Sequence, residues 1–134
     1  MNREYNYTIV GAGIIGLSTA YKLALKFPEK NILVLEKEGE LAKHQTGNNS
    51  GVIHSGIYYT PGSLKARNCF DGRNQLIAFA KKHSISHELC GKLIAAFEES
   101  ELETLDKIYK NGIQNGLENI KILSSEQSKD HEPY

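Results

Sequence analysis

Cysteine is scarce in this chain. Only Cys69 and Cys90 occur among its 134 residues. They are too few and too far apart to frame a disulfide scaffold or a zinc site, and no metal centre is expected. Net charge is absent as well. Sixteen basic side chains balance sixteen acidic ones, so nothing draws the chain as a whole toward nucleic acid or an anionic membrane surface. No apolar run approaches the roughly 20 residues that a membrane-spanning helix needs. The opening residues, Met1 to Asn6, are polar and lead straight into a strand-like segment, which is not the pattern of a secretory signal. Together these absences point to two reduced thiols in a cytoplasmic protein. At this length the chain can bury one modest core, so one domain or part of one is expected.

What is present begins at Tyr5 to Val10, a short β-rich strand, followed without a gap by Gly11-Ala12-Gly13-Ile14-Ile15-Gly16. Leu17, Ala20, Tyr21, Ala24 and Leu25 then recur at helical spacing up to Phe27-Pro28. Pro28 ends that helix, because the residue before a proline is pushed out of the α region. Ile32 to Leu35 is a continuous apolar run, as expected of a parallel strand covered on both faces, and it ends in Glu36. These pieces form one βαβ unit.

Residues 39–62 hold five glycines and Pro61 among polar residues and read as an extended loop with one short helical turn. A long irregular segment of this kind is usually functional or disordered, and Val52-Ile53 and Tyr58-Tyr59 argue against disorder. Ser63 caps a helix running to about His83, with Leu64, Ala66, Cys69, Phe70, Leu76, Ile77 and Ala80 on its apolar side. Leu93 to Phe97 reads as a strand. Ser100 and Glu103 have the spacing of a capping box, opening a helix with Leu102, Leu105, Ile108 and Tyr109 on one face that Gly112 and Gly116 break. Ile120 to Leu123 reads as a further short strand.

The glycine pattern gains its meaning from context. A strand precedes it, a helix follows it, and an acidic residue stands 20 positions after Gly16. Gly11 permits the tight turn. Gly13 presents no side chain to an approaching pyrophosphate, and Gly16 lets helix and strand pack closely. The helix start through Ile14 and Ile15 offers free N–H groups and a partial positive charge to phosphates. Glu36 suits a ribose diol and disfavours a 2′-phosphate, and Lys37 follows it. These features alone do not separate FAD from NAD.

The second segment does. His44-Gln45-Thr46-Gly47-Asn48-Asn49-Ser50-Gly51-Val52-Ile53-His54-Ser55-Gly56 resembles the D-amino-acid-oxidase-like superfamily of FAD enzymes and, more narrowly, the L-2-hydroxyglutarate oxidase/dehydrogenase family. The likeness continues from Ile57 through Arg67 and reaches Cys90-Gly91-Lys92-Leu93-Ile94. Asn48 departs from the pattern, which has histidine or another larger residue there.

The resemblance implies an α/β fold: a Rossmann-like FAD-binding βαβ domain of glutathione-reductase/D-amino-acid-oxidase type, incomplete in this chain. Residues 1–134 would be its N-terminal part, with the start of a substrate-domain insertion at about 85–134. FAD would lay its adenosine half on Gly11, Gly13, Ile14, Ile15, Gly16, Glu36 and Lys37. Thr46, Asn49, Ser50, Gly51, Val52 and Ile53 would line its flavin half. His54 would stand near the flavin as a donor to a substrate carboxylate or a base for the hydroxyl proton; a structural histidine bonded to the loop backbone is the other reading. The implied reaction is oxidation of a 2-hydroxy acid, L-2-hydroxyglutarate to 2-oxoglutarate, with electrons passing to oxygen or to a membrane quinone pool. That implies a small 2-hydroxy dicarboxylic acid as ligand and a cytoplasmic location with peripheral contact at the inner membrane face. Members of the family are much longer, so the 134-residue piece alone is expected to be inactive. The alternatives are an oxidoreductase of the same superfamily acting on an amine or glycerol phosphate, or a non-catalytic fragment that folds around a partner chain.

Overall fold

The computed structural model describes residues 4–133; Met1–Arg3, part of the polar opening read above, and Tyr134 lie outside them. The chain divides into two compact units, Met1–Val52 and Ile53–Tyr134.

The first unit is the expected βαβ arrangement. Strands β1, Tyr7–Val10, and β2, Ile32–Leu35, pair in parallel, Tyr7 opposite Ile32 and Val10 opposite Leu35. A parallel pair needs a crossover between its strands, and helix α1, Ile14–Lys26, supplies it. The helix stops one residue before Pro28: Phe27 sits at φ −133°, ψ 69°, its N–H still bonded to the Leu23 carbonyl. The Phe27 ring then stacks on Tyr7, with centroids 6.0 Å apart, which returns the chain over the strand it left. A two-way clasp starts the ladder. The Asn6 N–H donates to the Asn31 carbonyl and the Asn31 N–H to the Asn6 side chain, each at 2.9 Å. Ala12 is fully buried at the centre of this unit.

The apolar run of β2 was expected to be covered on both faces. Ile32, Leu33 and Val34 are half-buried, but Leu35 is exposed, and so is Val10 beside it at 83 %. The reason is the width of the sheet, which among the described residues has two strands and no outer neighbours. Residues 36–62 carry no strand and no helix beyond turns, in keeping with the extended loop read from the sequence. Its single helical turn is at His44 to Asn48, where the Asn48 N–H reaches the His44 carbonyl.

The second unit is helical. Helix α2, Leu64–Lys82, opens at Ser63, whose Oγ accepts from the Ala66 N–H at 3.2 Å, and closes at His83. Ala66 and Ala80 are buried on it, whereas Leu64 and Leu76, expected on the same apolar side, are exposed. A single 3₁₀ turn, Glu99–Glu101, leads into helix α3, Leu102–Gln114, and a short helix α4, Ser125–Ser128, follows.

Four expectations in this unit are corrected. The capping box lies two residues earlier than read: Glu98 and Glu101 form it, with Glu101 Oε2 accepting from the Phe97 and Glu98 N–H groups. Ser100 points its hydroxyl at Glu98 instead. The 3₁₀ turn shifts the register, and a carboxylate serves as well as a hydroxyl at this position. Gly112 does not break α3 but lies buried inside it, and the helix ends at Asn115 and Gly116, the latter at φ +76°. Neither Leu93–Phe97 nor Ile120–Leu123 is a strand. Both are rich in strand-forming residues, but a strand exists only through its ladder, and neither has a pairing partner among the described residues. Phe97 is left 91 % exposed.

Candidate cofactor site

The glycine turn joins β1 to α1, and each of its glycines has a separate physical reason. Gly11 sits at φ +98°, where a side chain is strained. Gly16 faces the turn it follows: a Cβ there would drive into the Gly11 carbonyl oxygen and reach Ile9 Cγ2 at 3.4 Å. Gly13 has ordinary backbone angles, φ −82° and ψ −178°, so conformation does not demand glycine there. What it provides is space. A Cβ would stand 3.0 Å from Thr46 Oγ1.

Thr46 is therefore part of the turn's surroundings. Its Oγ1 accepts from the Ile14 N–H at 2.9 Å, capping α1 in place of the side chain that Gly13 lacks. The N–H groups of Gly13, Ile15 and Gly16 have no acceptor among the described residues. The α1 N-terminus thus offers open donors beside a surface cleared of side chains, the arrangement that binds phosphate oxygens.

Glu36 stands at the tip of β2, and its carboxylate does more than the sequence suggested. Oε2 accepts from the Ala12 N–H at 2.7 Å, and Oε1 accepts from the Lys37 and Glu38 N–H groups at 2.9 and 3.1 Å. The Ala12 bond, followed by that from Glu38, holds the carboxyl below the ordinary glutamate range. Three of roughly four acceptor positions on a carboxylate are thereby used, which leaves one for a ribose hydroxyl. The same side chain ties the glycine turn to β2. The loop adds a second tie, as the Ala42 N–H donates to the Ala12 carbonyl at 3.2 Å. Sequence spacing carries no signal for either link; only the adjacency of two parallel strand ends could have suggested them.

The other expected residues of this unit are partly committed to one another. The Lys37 ammonium lies 3.5 Å from Glu38 Oε1, which also meets His44 Nε2 at 2.9 Å, so the Lys37 side chain is turned to a neighbouring acid at the surface. Asn49 shapes its own loop: its Nδ2 donates to the Gln45 and Thr46 carbonyls and its Oδ1 accepts from the Gly51 N–H at 2.7 Å. Gly51, at φ +65°, lies in the left-handed region that favours glycine. Ser50 and Val52 are exposed. Asn48, the departure from the expected pattern, bonds the Lys43 and His44 carbonyls and so closes the helical turn that carries Thr46.

In the second unit Ile53 is half-buried. The His54 carbonyl accepts from Cys69 Sγ at 3.4 Å, while its exposed imidazole has no hydrogen-bond partner among the described residues. A ring bonded to the loop backbone is therefore not what is found. No metal-binding cluster of His, Cys, Asp or Glu occurs among the described residues, and no helix among them is long and apolar enough to cross a membrane.

The geometry fits a dinucleotide: open donors and a bare surface for the diphosphate, and an ionised carboxylate one strand away for the ribose. Residues 6–134 match the FAD dependent oxidoreductase family. The chain is 44 % identical over 131 residues to an L-2-hydroxyglutarate dehydrogenase of Indibacter alkaliphilus, covering 98 % of this chain and 33 % of that protein. It is 48 % identical to the mitochondrial L-2-hydroxyglutarate dehydrogenase of Homo sapiens, over 98 % of this chain and 28 % of that one. Against the Dictyostelium discoideum mitochondrial protein of the same name the identity is 47 %, with 97 % and 29 % covered. The chain spans about a third of the length of the curated relatives it matches. With the family match running through the glycine turn, Glu36 and the loop beyond, the chain belongs to the FAD dependent oxidoreductases.

Proposed function

We propose that this chain holds the adenosine half of FAD and the loop that lines its flavin, within an enzyme that oxidises L-2-hydroxyglutarate to 2-oxoglutarate. The observation that carries the reaction is identity of 44–48 % over nearly the whole chain to proteins named L-2-hydroxyglutarate dehydrogenase. The cofactor's place rests on the glycine turn. Gly13, Ile15 and Gly16 N–H groups receive the diphosphate, Gly13 keeps its approach clear, and the Glu36 carboxylate accepts from the ribose. Lys37 borders the ribose from the surface. Thr46, Asn49, Ser50, Gly51, Val52 and Ile53 line the flavin side, where small side chains and backbone N–H groups allow a polar cofactor to lie close.

Bound FAD supplies the acceptor for the hydride that leaves C2 of the substrate. The protein's own part is positional and acid–base. A ring nitrogen of His54, which has no hydrogen-bond partner among the described residues, takes the proton of the substrate hydroxyl. Residues from about 85 to 134 begin the substrate-binding part. Electrons leave to oxygen or to a quinone at the inner membrane face, which the protein would touch peripherally from the cytoplasm.

The test is anaerobic mixing of the flavin-loaded native polypeptide with each enantiomer of 2-hydroxyglutarate. Bleaching of the oxidised flavin band by the L form and not the D form is the expected result. A flavin that stays oxidised with L-2-hydroxyglutarate but bleaches with glycerol 3-phosphate or an amine moves the reaction to that substrate class.

A further inference from the structure

Three hydrogen bonds between residues far apart in the sequence converge on one short stretch of the second unit, His54 to Tyr59. Cys69, on α2, donates to the His54 carbonyl at 3.4 Å. Asn115, at the end of α3, donates from its Nδ2 to both the Gly56 carbonyl at 3.3 Å and the Tyr59 carbonyl at 2.9 Å. Those two carbonyls bracket a tight turn that the Tyr59 N–H closes on Gly56, so one amide holds both of its ends. Packing holds it as well. Gly56 is buried at φ +86°, and a Cβ there would stand 3.3 Å from Cys69. Gly112 lies three residues before Asn115 on α3, so the two share a helix face, and a Cβ on it would stand 3.1 Å from Ile57 Cγ1. The absent side chain lets α3 approach the turn and brings the Asn115 amide within reach of it.

His54 stands at the start of this stretch. Its exposed imidazole has no hydrogen-bond partner among the described residues, whereas the His44 ring meets Glu38 and the His87 ring the Ile85 carbonyl. No described residue therefore fixes the His54 ring by its own nitrogens. The ring's place is set by the backbone that carries it, with two side-chain torsions left free. That backbone is held by the Cys69 thiol at His54 itself and, two residues on, by the Asn115 amide. A proton acceptor anchored in this way keeps both nitrogens open to a ligand while its Cα stays in place.

We propose, resting on the reading of His54 as the proton acceptor, that Asn115 and Cys69 are positioning residues for it: they clamp the His54 backbone so that a ring nitrogen meets the substrate hydroxyl. The chemistry is that given above. The hydroxyl proton passes to the His54 nitrogen while the hydride leaves C2 for the bound cofactor, and the two clamp donors exchange no proton. Neither Asn115 nor Cys69 bonds the imidazole. They act on where the ring sits and not on its affinity for a proton. Loss of the clamp should therefore slow proton transfer without moving the pH at which the rate is half-maximal.

A double-mutant cycle on anaerobic flavin reduction in the flavin-loaded native polypeptide tests this. The substrate is L-2-hydroxyglutarate, or whichever substrate class bleaches the flavin. Asn115→Ala should slow the limiting reduction rate on the order of tenfold, within the roughly hundredfold that a 1 Å misplacement can cost, and leave the pH midpoint of that rate in place. In a His54→Ala background the same substitution should have no further effect. Cys69→Ser, which keeps a donor, should retain more of the rate than Cys69→Ala, and this pair takes over should Asn115→Ala lose its flavin. Independently of turnover, hydrogen exchange at the Tyr59 amide should speed up about tenfold in Asn115→Ala. Equal losses in both backgrounds, a displaced pH midpoint, or unchanged exchange at Tyr59 each overturn the assignment. The reading of His54 as proton acceptor fails by a different result, a His54→Ala protein that reduces its flavin as fast as the parent.

Discussion

Gly16→Ala is the sharpest perturbation of the βαβ unit. The added methyl would point at the Gly11 carbonyl oxygen, about 1 Å inside the 3.0 Å that real Cβ atoms respect, and would also crowd Gly11 C at 3.1 Å. The obstacle is backbone in a turn that Gly11 already holds at φ +98°, so no side-chain rotation relieves it. Helix α1 must retract from β1, and the Ile14 N–H would then leave Thr46. Overpacking of this kind costs about 1–3 kcal/mol, and a contact with backbone belongs at the upper end. Alanine returns up to about 1 kcal/mol in helix propensity over glycine, so the net loss should be about 2 kcal/mol. Gly13→Ala is the internal control. Its backbone angles are ordinary, and its Cβ meets only Thr46 Oγ1 at 3.0 Å, so its cost should stay at or below about 1 kcal/mol, the scale of the cap that this oxygen gives the Ile14 N–H. Urea unfolding followed by far-UV circular dichroism measures both. Equal stabilities for Gly16→Ala and Gly13→Ala would refute the close approach of α1 to the turn.

Gly13→Val should leave the far-UV spectrum intact and abolish FAD binding, because the branched side chain fills the space kept for the diphosphate; retained flavin absorbance after gel filtration would show that the phosphates lie elsewhere. Asn115→Ala should cost the second unit about 1–2 kcal/mol, for two backbone carbonyls stripped of a shared donor, with Asn115→Asp no better because a carboxylate cannot donate; urea unfolding again reads it, and an unchanged midpoint would mean that the Gly56–Tyr59 turn stands without its clamp. Glu36→Gln should destabilise the first unit at neutral pH, since one side of an amide cannot accept from the Ala12, Lys37 and Glu38 N–H groups together. The sign with pH follows from the lowered carboxyl of Glu36. Its contribution is complete above the ordinary glutamate range and is lost as pH falls through the folded-state value, so parent and variant should converge in acid. A gap that persists or widens toward low pH would show that ionisation of Glu36 is not what the N–H groups require.

The parts of the fold that were legible in the sequence are those in which a short segment contains its own cause. Pro28 stops α1 because the constraint acts on the residue before it, and Ser63 caps α2 because its hydroxyl reaches only the next turn. The glycine turn is legible for a similar reason: Gly11 and Gly16 are called for by conformation or space within a few residues, whereas the space at Gly13 is bounded by Thr46, far along the chain. The misreadings concern elements whose cause lies far along the chain. Leu93–Phe97 and Ile120–Leu123 have strand composition, yet composition does not supply the neighbouring backbone that a ladder needs. The capping box was misplaced by two residues because Glu98, Ser100 and Glu101 all offer oxygens, and only the 3₁₀ turn decides which are in reach.

Glu36 shows why a residue can be found by motif and still be misjudged in role. Spacing marks it as the ribose acid, a reading in which its carboxylate waits free for a ligand. In the folded unit the carboxylate is already the acceptor for Ala12, the one fully buried residue of the glycine turn. An ionised oxygen bonded to that N–H holds the turn in shape, so in the proposed adenosine site the acid would act on both halves, directly on the ribose and through Ala12 on the diphosphate. Two bound halves that share one protein group cannot be independent. Loss of Glu36 should therefore weaken adenosine diphosphate more than it weakens adenosine, although both carry the same ribose. Competition of the two against FAD, in parent and Glu36→Gln, measures the difference. Equal weakening of both would confine Glu36 to the ribose and leave the Ala12 bond without consequence for binding.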